Sequence, residues 1–275
     1  MTIGLIVNAD DYGRTPEVSA GIRHAHLHGI VTSTTAMMNI PGVEADLDQA
    51  LKETPNLGLG VHLVLTSGRP QLPPEQTPSL VRPDGSFLNL FEFTEQRERV
   101  NLDEIRREWR AQVDKFVAHT GRSPTHLDSH HHSSYFTAGI FRSMLELAGE
   151  YDCAIRIGMV QTNVPVPLGM PEEITQQALQ FAPPLLAEFQ PRRCDDFYAT
   201  FYDEFASLGE ILRIIQALPP GSHEVMCHPG YTNPALLAGS VYASQREVEL
   251  SVLTDPRVKA AIEARGVELI TFAEV

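Results

Sequence analysis

The chain has 275 residues, and its 21 lysines and arginines against 35 aspartates and glutamates give a formal net charge of −14. This acidic balance excludes generic binding to DNA or RNA, where affinity depends on basic side chains that neutralise phosphates. Hydrophobic residues make up 43% of the chain and charged residues 20%, a composition typical of a globular rather than a disordered protein. A chain of this length can form two small domains or one (β/α) barrel, and we expect a single domain over residues 1–275.

The amino terminus predicts neither a signal peptide nor a membrane anchor. Its first residues, MTIGLIVNADDYG, contain no basic segment and reach two aspartates before an apolar signal core is complete. No run of about 18 apolar residues occurs anywhere, so we expect no membrane span. Cys153, Cys194 and Cys227 are widely spaced, which favours reduced, buried thiols in a cytoplasmic protein. A Cys227 nucleophile beside His228 is the less favoured alternative.

Short apolar runs alternate with helical patterns along the whole chain. A helix is predicted to begin at Thr15-Pro16-Glu17, with Thr15 as its cap. The predicted strands, in chain order, are 3–8, 30–38, 57–65, 125–130, 154–160, 197–202, 224–228 and 267–272. The further predicted helices are 42–52, 102–119, 136–151, 205–217 and 244–265, the last broken at Pro256. This alternation indicates right-handed βαβ units, and seven or eight of them favour a closed or nearly closed barrel of parallel strands.

Two proline-rich segments interrupt this alternation. Residues 66–84 contain five prolines and follow the third predicted strand, and residues 159–171 contain three and follow the fifth. Such loops are stiff and cannot pair with the sheet. They either form substrate walls at the carboxyl ends of the strands or are surface insertions without a functional role.

The first predicted strand ends in two adjacent carboxylates, Asp10 and Asp11. Neighbouring carboxylates repel one another in apolar surroundings, and a bound cation would remove that cost. Gly13 allows the sharp turn that would keep both side chains near the barrel mouth. The alternative is an ordinary turn that precedes a helix cap.

A cluster of histidines ends the fourth predicted strand, in the sequence THLDSHHH over residues 125–132. Because side chains alternate along a strand, His126, Asp128 and His130 share one face, and Leu127 and Ser129 lie on the other. Buried imidazoles beside a carboxylate are costly unless they are paired or bind a metal. A neighbouring carboxylate can also fix the tautomer of a ligating imidazole. The pattern therefore favours metal binding over a solvated histidine loop.

Two more histidines occupy equivalent positions, His62 in the third strand and His228 at the end of the seventh. Pro229 and Gly230 stop that strand directly after His228, and neither histidine is specific by itself. In a parallel barrel, however, the carboxyl ends of all strands meet at one mouth. One carboxylate with two imidazoles forms a catalytic rather than a structural metal site. A second aspartate and a third histidine would then supply a base and an acid for hydrolysis.

Several other chemistries have no motif in this sequence. It contains no GxxxxGK[ST] phosphate loop, no complete GxGxxG and no GxSxG elbow, which argues against nucleotide binding and serine hydrolysis. His24, His26 and His28 are spaced by two on a predicted helix, where side chains do not share a face, so we expect them at the surface.

Six long strings give the chain a specific resemblance to the YdjC-like carbohydrate deacetylases, and among them to chitooligosaccharide deacetylases. The strings are IVNADDYG (6–13), GIVTSTTAMMN (29–39), LGLGVHLVLTSGRP (57–70), PTHLDSHHH (124–132), EVMCHPGY (224–231) and ELSVLTD (249–255). The resemblance implies a distorted (β/α) barrel of about seven parallel strands, related to polysaccharide deacetylases. It also implies hydrolysis of an N-acetyl group from an amino sugar, with release of acetate.

By this resemblance Asp11, His62 and His130 hold one divalent metal ion, Asp10 is the general base and His228 is the general acid. The likeness departs at Ser133 and Ser134, where members of the family often have a histidine two residues beyond the HHH run. If that histidine contacts substrate in the family, the preferred sugar differs here, while the ligand position His130 is not affected.

The remaining expectations concern substrate, metal and partners. Arg156 and Asp128 are candidate substrate contacts, with a structural ion pair as the alternative for Arg156. The ligand set suits magnesium or zinc among other ions and does not choose between them. We expect a small N-acetylated sugar as substrate and a homodimer. Alternative functions are a metal-dependent phosphoesterase or amidohydrolase on a similar barrel, and an inactive protein that binds metal and sugar.

Overall fold

The structure, a computed structural model, describes residues 2–158 and 171–275 and has a sheet of eight strands as its centre. The strands are β1 (Ile3–Tyr12), β2 (Ser33–Ala36), β3 (Gly58–Leu63), β4 (His126–Ser129), β5 (Ala154–Ile155), β6 (Asp196–Tyr198), β7 (Gly221–Cys227) and β8 (Val267–Leu269). All pairings between these eight strands are parallel, in the order β5-β4-β3-β2-β1-β7-β6, and β8 pairs with the first half of β1. The sheet curls into a half-barrel. Between its two edges, the N–H of Ile155 in β5 donates to the carbonyl of Arg192, which precedes β6 in the chain.

Ten helices surround this sheet in the described part of the chain. They are α1 (Pro16–His28), α2 (Val43–Glu53), α3 (Leu90–Gln96), α4 (Leu102–Thr120), α5 (Ala138–Glu150), α6 (Glu172–Phe189), α7 (Leu208–Ala217), α8 (Pro234–Gly239), α9 (Ser244–Leu253) and α10 (Pro256–Arg265). The predicted cap is confirmed, since Thr15 accepts a hydrogen bond from the N–H of Val18 at the start of α1. None of these helices combines the length and the apolar character that crossing a membrane requires.

The parallel barrel-like architecture and all eight predicted strands are confirmed, although the strand ends differ. β1 extends to Tyr12, four residues beyond its predicted end, and β5 is described only at Ala154–Ile155. Helices α3, α6 and α8 were not predicted. Pro183 and Pro184 lie inside α6, where a proline costs the helix about 3 kcal/mol of stability. The buried apolar face of α6 offsets this cost.

The first proline-rich segment, residues 66–84, is held against α4 by buried carboxylates. Glu108 accepts hydrogen bonds from the N–H groups of Gln71 and Leu72, and Glu104 accepts one from the N–H of Ser79. This segment, which follows β3, is therefore fixed to α4. The second segment, residues 159–171, lies outside the described residues except for Pro171.

Candidate active site

β1 ends in two neighbouring aspartates that both face the centre of the barrel. In a regular strand Asp10 and Asp11 would point to opposite faces. The pairing of β1 with β2 shifts register between Ala9 and Tyr12, and Asp11 has a positive φ of 70°. Such an irregularity re-aims a side chain, so both carboxylates are buried at the same mouth. Gly13 (φ 85°) makes the following turn, as the sequence predicts.

Three ligand atoms converge beside the end of β1. The Oδ1 atom of Asp11 lies 3.2 Å from Nδ1 of His130 and 3.6 Å from Nε2 of His62. The two imidazole nitrogens are 3.2 Å apart. Asp11 Oδ1 is buried and has no hydrogen-bond partner among the described residues. A carboxylate oxygen and two imidazole nitrogens that face one another in this way fit a divalent cation.

The orientation of His62 is set by Asp128 on the neighbouring strand. His62 and Asp128 are paired in register across β3 and β4, and Nδ1 of His62 lies 2.7 Å from Oδ1 of Asp128. Thr35 donates to the other oxygen of Asp128 at 3.0 Å. Because Asp128 accepts the Nδ1 proton, Nε2 presents its lone pair to the ligand cluster. Burial lowers the pKa of His62, but the Asp128 carboxylate outweighs it and raises that pKa to about 8.

Asp11 is held from its other side by helix α9. Arg246, 2% exposed, donates from Nη2 to Oδ2 of Asp11, while its Nε donates to the carbonyl of Tyr242. Burial raises the pKa of Asp11, yet Arg246 and His130 hold it well below its ordinary value. Burial lowers the pKa of His130. The cluster therefore contains an ionised carboxylate and a neutral His130, the forms that ligate metals.

Arg156 joins three buried carboxylates on the opposite side of the site. It forms two 2.7 Å hydrogen bonds with Asp10, a 2.9 Å contact with Asp128 and a 2.7 Å bond from Nε to Glu224. Its side chain is 1% exposed. Burial raises the pKa of Asp10, but the guanidinium outweighs this effect and holds the pKa well below its ordinary value. This geometry favours the ion-pair interpretation of Arg156, and substrate contacts by Arg156 and Asp128 stay predictions.

His228 directly follows β7 and faces Asp10. Its Nε2 atom lies 3.9 Å from Oδ2 of Asp10, and its side chain is 14% exposed. Burial lowers the pKa of His228 to about 4. The structure thus brings together all five residues that the sequence predicts as ligands or catalytic groups. It also separates them into a ligand cluster and an Asp10–His228 pair.

Other predicted groups lie elsewhere or are engaged. His126 is buried below the ligand cluster, where Nε2 contacts Asn8 Oδ1 at 3.0 Å and the ring stacks on Phe272. Cys227 is fully buried, burial raises its thiol pKa, and its Sγ contacts the carbonyl of Asn8. A buried, protonated thiol does not support the nucleophile alternative. Ser134 is buried in a turn and hydrogen-bonds Ser129.

Three charged residues of the site were not predicted: Glu224, Arg246 and Glu249. Each is at most 2% exposed. Glu224 is the first residue of a predicted buried strand, where a carboxylate requires a partner, and this position is the only signal that the sequence offers. Arg246 and Glu249 lie on a helix, where charged residues are ordinary, so the sequence gives no signal for them.

Comparison with known proteins assigns this chain to a family. A sequence model of the YdjC-like protein family matches residues 4–264. A carbohydrate deacetylase of Geobacillus stearothermophilus is 37% identical over 270 residues, which cover 98% of this chain and 96% of that protein. A chitooligosaccharide deacetylase of Proteus mirabilis is 38% identical over 275 residues, 98% of each chain.

Solved structures agree with the fold. A protein of Enterococcus faecalis V583, described as a candidate cellobiose-phosphate cleavage protein, has a TM-score of 0.86 and 34% identity, with 100% of this chain and 99% of that chain covered. The Xyl-CE4 domain of a xylanase from the hindgut metagenome of Trinervitermes trinervoides has a TM-score of 0.52 at 6% identity, with 100% and 89% covered. The latter similarity concerns the fold alone.

Proposed function

Because this chain belongs to the family of YdjC-like proteins, we propose that it removes an N-acetyl group from an amino sugar with the help of one divalent metal ion. The chain is a carbohydrate deacetylase, as its relatives at 37% and 38% identity are. The observation that supports a metal is the buried Oδ1 of Asp11, which lies between His62 and His130 and has no hydrogen-bond partner in the described part of the chain. Asp11, His62 and His130 would hold the ion.

The residues around the ligand cluster supply the proton transfers of amide hydrolysis. A bound divalent ion would supply Lewis acidity to the acetamide carbonyl and to the attacking water. Asp10 is ionised, and its Oδ2 atom faces the site, so it can accept the proton of that water. Arg156 fixes the plane of the Asp10 carboxylate through both oxygens. The base is therefore positioned before substrate binds.

His228 lies where its doubly protonated form can protonate the departing amine, and its pKa of about 4 makes that form a minor one at neutral pH. An amine leaves poorly as an anion, so a general acid is required, and its contribution is typically about 10²- to 10⁴-fold in rate. Nε2 of His228 lies 3.9 Å from Oδ2 of Asp10. A base and an acid this close together can act on one bound acetamide group.

We propose a short chitooligosaccharide, such as N,N′-diacetylchitobiose, as the substrate, in line with the relative from Proteus mirabilis. A phosphoesterase on a similar barrel would require free basic residues for phosphate. Arg156 and Arg246, the arginines that contact Asp10 and Asp11, are instead neutralised by carboxylates. An inactive binding protein has no need for both Asp10 and His228. Amide hydrolysis is therefore the function that these contacts support best.

The test is acetate release from N,N′-diacetylchitobiose by metal-stripped protein, with and without added zinc, magnesium or manganese. We expect no release without metal and restored release with at least one ion, which would also identify the preferred ion. Protein that binds metal and releases no acetate with any ion would refute the proposed reaction. Glycolipid acetamides would then be assayed before phosphoesters.

Single variants separate the two groups of residues. Asp10→Asn and His228→Ala should lower turnover about 10²- to 10⁴-fold while the metal content per chain stays at the wild-type value. Asp11→Asn, His62→Ala and His130→Ala should lose the metal itself. A matched control is His24→Ala, on the outer helix α1. Equal metal loss in both groups would contradict this division of roles.

Two further proposals follow from the sequence. The three cysteines are free and buried, which supports a cytoplasmic location. We also propose a homodimer, which light scattering during size-exclusion chromatography would test.

A further inference from the structure

Glu249, a buried residue of helix α9, accepts a hydrogen bond from the backbone of His228 and also faces its ring. Glu249 is 0% exposed, and its Oε2 atom accepts a hydrogen bond from the N–H of His228. Its Oε1 atom lies 4.0 Å from Nδ1 of His228. Nδ1 is buried and has no hydrogen-bond partner among residues 2–158 and 171–275. The side of the imidazole that faces away from Asp10 is therefore directed at a carboxylate.

Two tyrosines fix this arrangement. The hydroxyl of Tyr242 donates to Oε1 of Glu249 and accepts the N–H of Asp203. Its ring stacks on Tyr202 with centroids 4.4 Å apart, and both rings contact the ring of His228 edge-on at 5.4 Å. The imidazole is thus confined by aromatic edges and by one carboxylate, and its remaining nitrogen, Nε2, faces the site.

The same helix also contacts the ligand cluster. Arg246 and Glu249 are three residues apart in α9, so they lie on one face of the helix. Arg246 binds Asp11, while Glu249 binds His228. One face of α9 therefore contacts both Asp11, a predicted metal ligand, and His228, the predicted acid, near the ends of their strands.

We propose that Glu249 is a positioning residue for His228, which rests on the proposed function. When the imidazole carries two protons, a movement of about 1 Å brings Nδ1–H into hydrogen-bond distance of Oε1. The Nε2–H bond then breaks towards the amine nitrogen, as the C–N bond of the intermediate breaks and its electron pair moves to that nitrogen. The neutral imidazole remains, still held by Glu249 through its backbone N–H.

The test compares Glu249→Gln with wild type on two acetyl compounds with different leaving groups. The amide of N,N′-diacetylchitobiose requires protonation of its leaving amine, whereas 4-nitrophenyl acetate releases a stable phenolate and does not. Glutamine keeps the shape and can accept the backbone N–H, but it lacks the charge. We expect kcat for the sugar to fall about 10- to 100-fold, with KM, metal content and aryl acetate hydrolysis within threefold of wild type.

Controls make the result decisive. Glu247→Gln changes an exposed carboxylate of the same helix that bonds Thr232, and it should match wild type. If Glu249→Gln does not fold, Tyr242→Phe removes only the hydroxyl that orients Glu249, and should lower kcat for the sugar about two- to fivefold. A kcat within threefold for Glu249→Gln, or equal losses on both compounds, would overturn the inference. Metal-loaded wild type that releases no acetate from any N-acetylated sugar would instead refute the proposed function.

Discussion

Replacing Asp128 with asparagine separates two possible roles of this residue, substrate contact and orientation of His62. Asp128 is buried, and its oxygens lie 2.7 Å from Nδ1 of His62 and 2.9 Å from Nη1 of Arg156. Asparagine has nearly the same shape and can still accept the Nδ1 proton through its carbonyl oxygen. Its amide group, however, would face the Arg156 guanidinium, so that two donors meet where a salt bridge was.

The expected cost appears in metal affinity. Loss of a carboxylate behind a ligating imidazole typically weakens metal binding about 10- to 100-fold, or about 1.4 to 2.8 kcal/mol. The cost should depend on pH, because Asp128 also raises the pKa of His62 to about 8, and a protonated His62 cannot bind metal. The variant removes this proton competition, so its loss of affinity should be largest above pH 8 and smaller at pH 6.5.

Calorimetric titration of metal-stripped protein with zinc at pH 6.5 and pH 8.5 measures this effect. Asp103→Asn, at an exposed position of α4, is a matched control and should bind zinc like wild type. KM for the sugar should stay within about twofold of wild type under saturating metal. Unchanged zinc affinity at both pH values, with a raised KM, would refute the orienting role and support a substrate contact.

The other predictions concern pH, charge and packing. The metal affinity of the wild type should rise about tenfold per pH unit below pH 8 and level off above it, because His62 loses its proton over that range. A calorimetric metal affinity that does not change with pH would contradict this. Arg156→Met should lower the free energy of unfolding in urea by about 3 to 5 kcal/mol, because it leaves three buried carboxylates without their cation. The loss should be smaller at low pH, where these carboxylates take up protons. An equal loss at pH 4 and pH 7 would contradict this explanation. Gly60→Ala places a Cβ 2.6 Å from both the ring and the carbonyl of His126, so it should lower the free energy of unfolding by about 1 to 3 kcal/mol. Gly149→Ala lies in a helix and meets open space, so it should raise the free energy of unfolding by about 0.8 kcal/mol in the same measurement.

Strand ends were the most predictable feature of this site. Apolar runs identify buried strands, and parallel strands bring their carboxyl ends to one mouth, so polar residues there predict a cluster. His62, His130 and His228 follow from this rule. The alternation of side chains also placed Asp128 on the same face as His130, and the structure brings both to the site.

The detailed geometry depends on features that the sequence does not display. Regular alternation would separate Asp10 from Asp11, and only the irregular pairing of β1 with β2 turns both inwards. Arg246 and Glu249 come from a helix more than 230 residues after β1, and a polar helical residue gives no indication of its partner. Long-range ion pairs are set by the packing of the helix against the barrel, which no local pattern encodes.

The balance of buried charge explains where a cation would bind. Five buried carboxylates face two buried arginines in this region: Asp10, Asp11, Asp128, Glu224 and Glu249, with Arg156 and Arg246. Burial raises the pKa of Glu224 to about 7 and that of Glu249 to about 8, and a doubly protonated His228 beside Glu249 would favour its carboxylate form.

The remaining negative charge is unevenly compensated. Two groups of side chains have a suitable spacing for a metal, Asp11 with His62 and His130, and Asp10 with His62 and Asp128. In the second group Arg156 already contacts both carboxylates, so a metal there would have to displace or oppose a buried guanidinium. In the first group Arg246 donates only to Oδ2 of Asp11, and no described residue forms a hydrogen bond with Oδ1. A divalent cation would therefore gain most between Asp11, His62 and His130, beside the proposed base Asp10 rather than in its place.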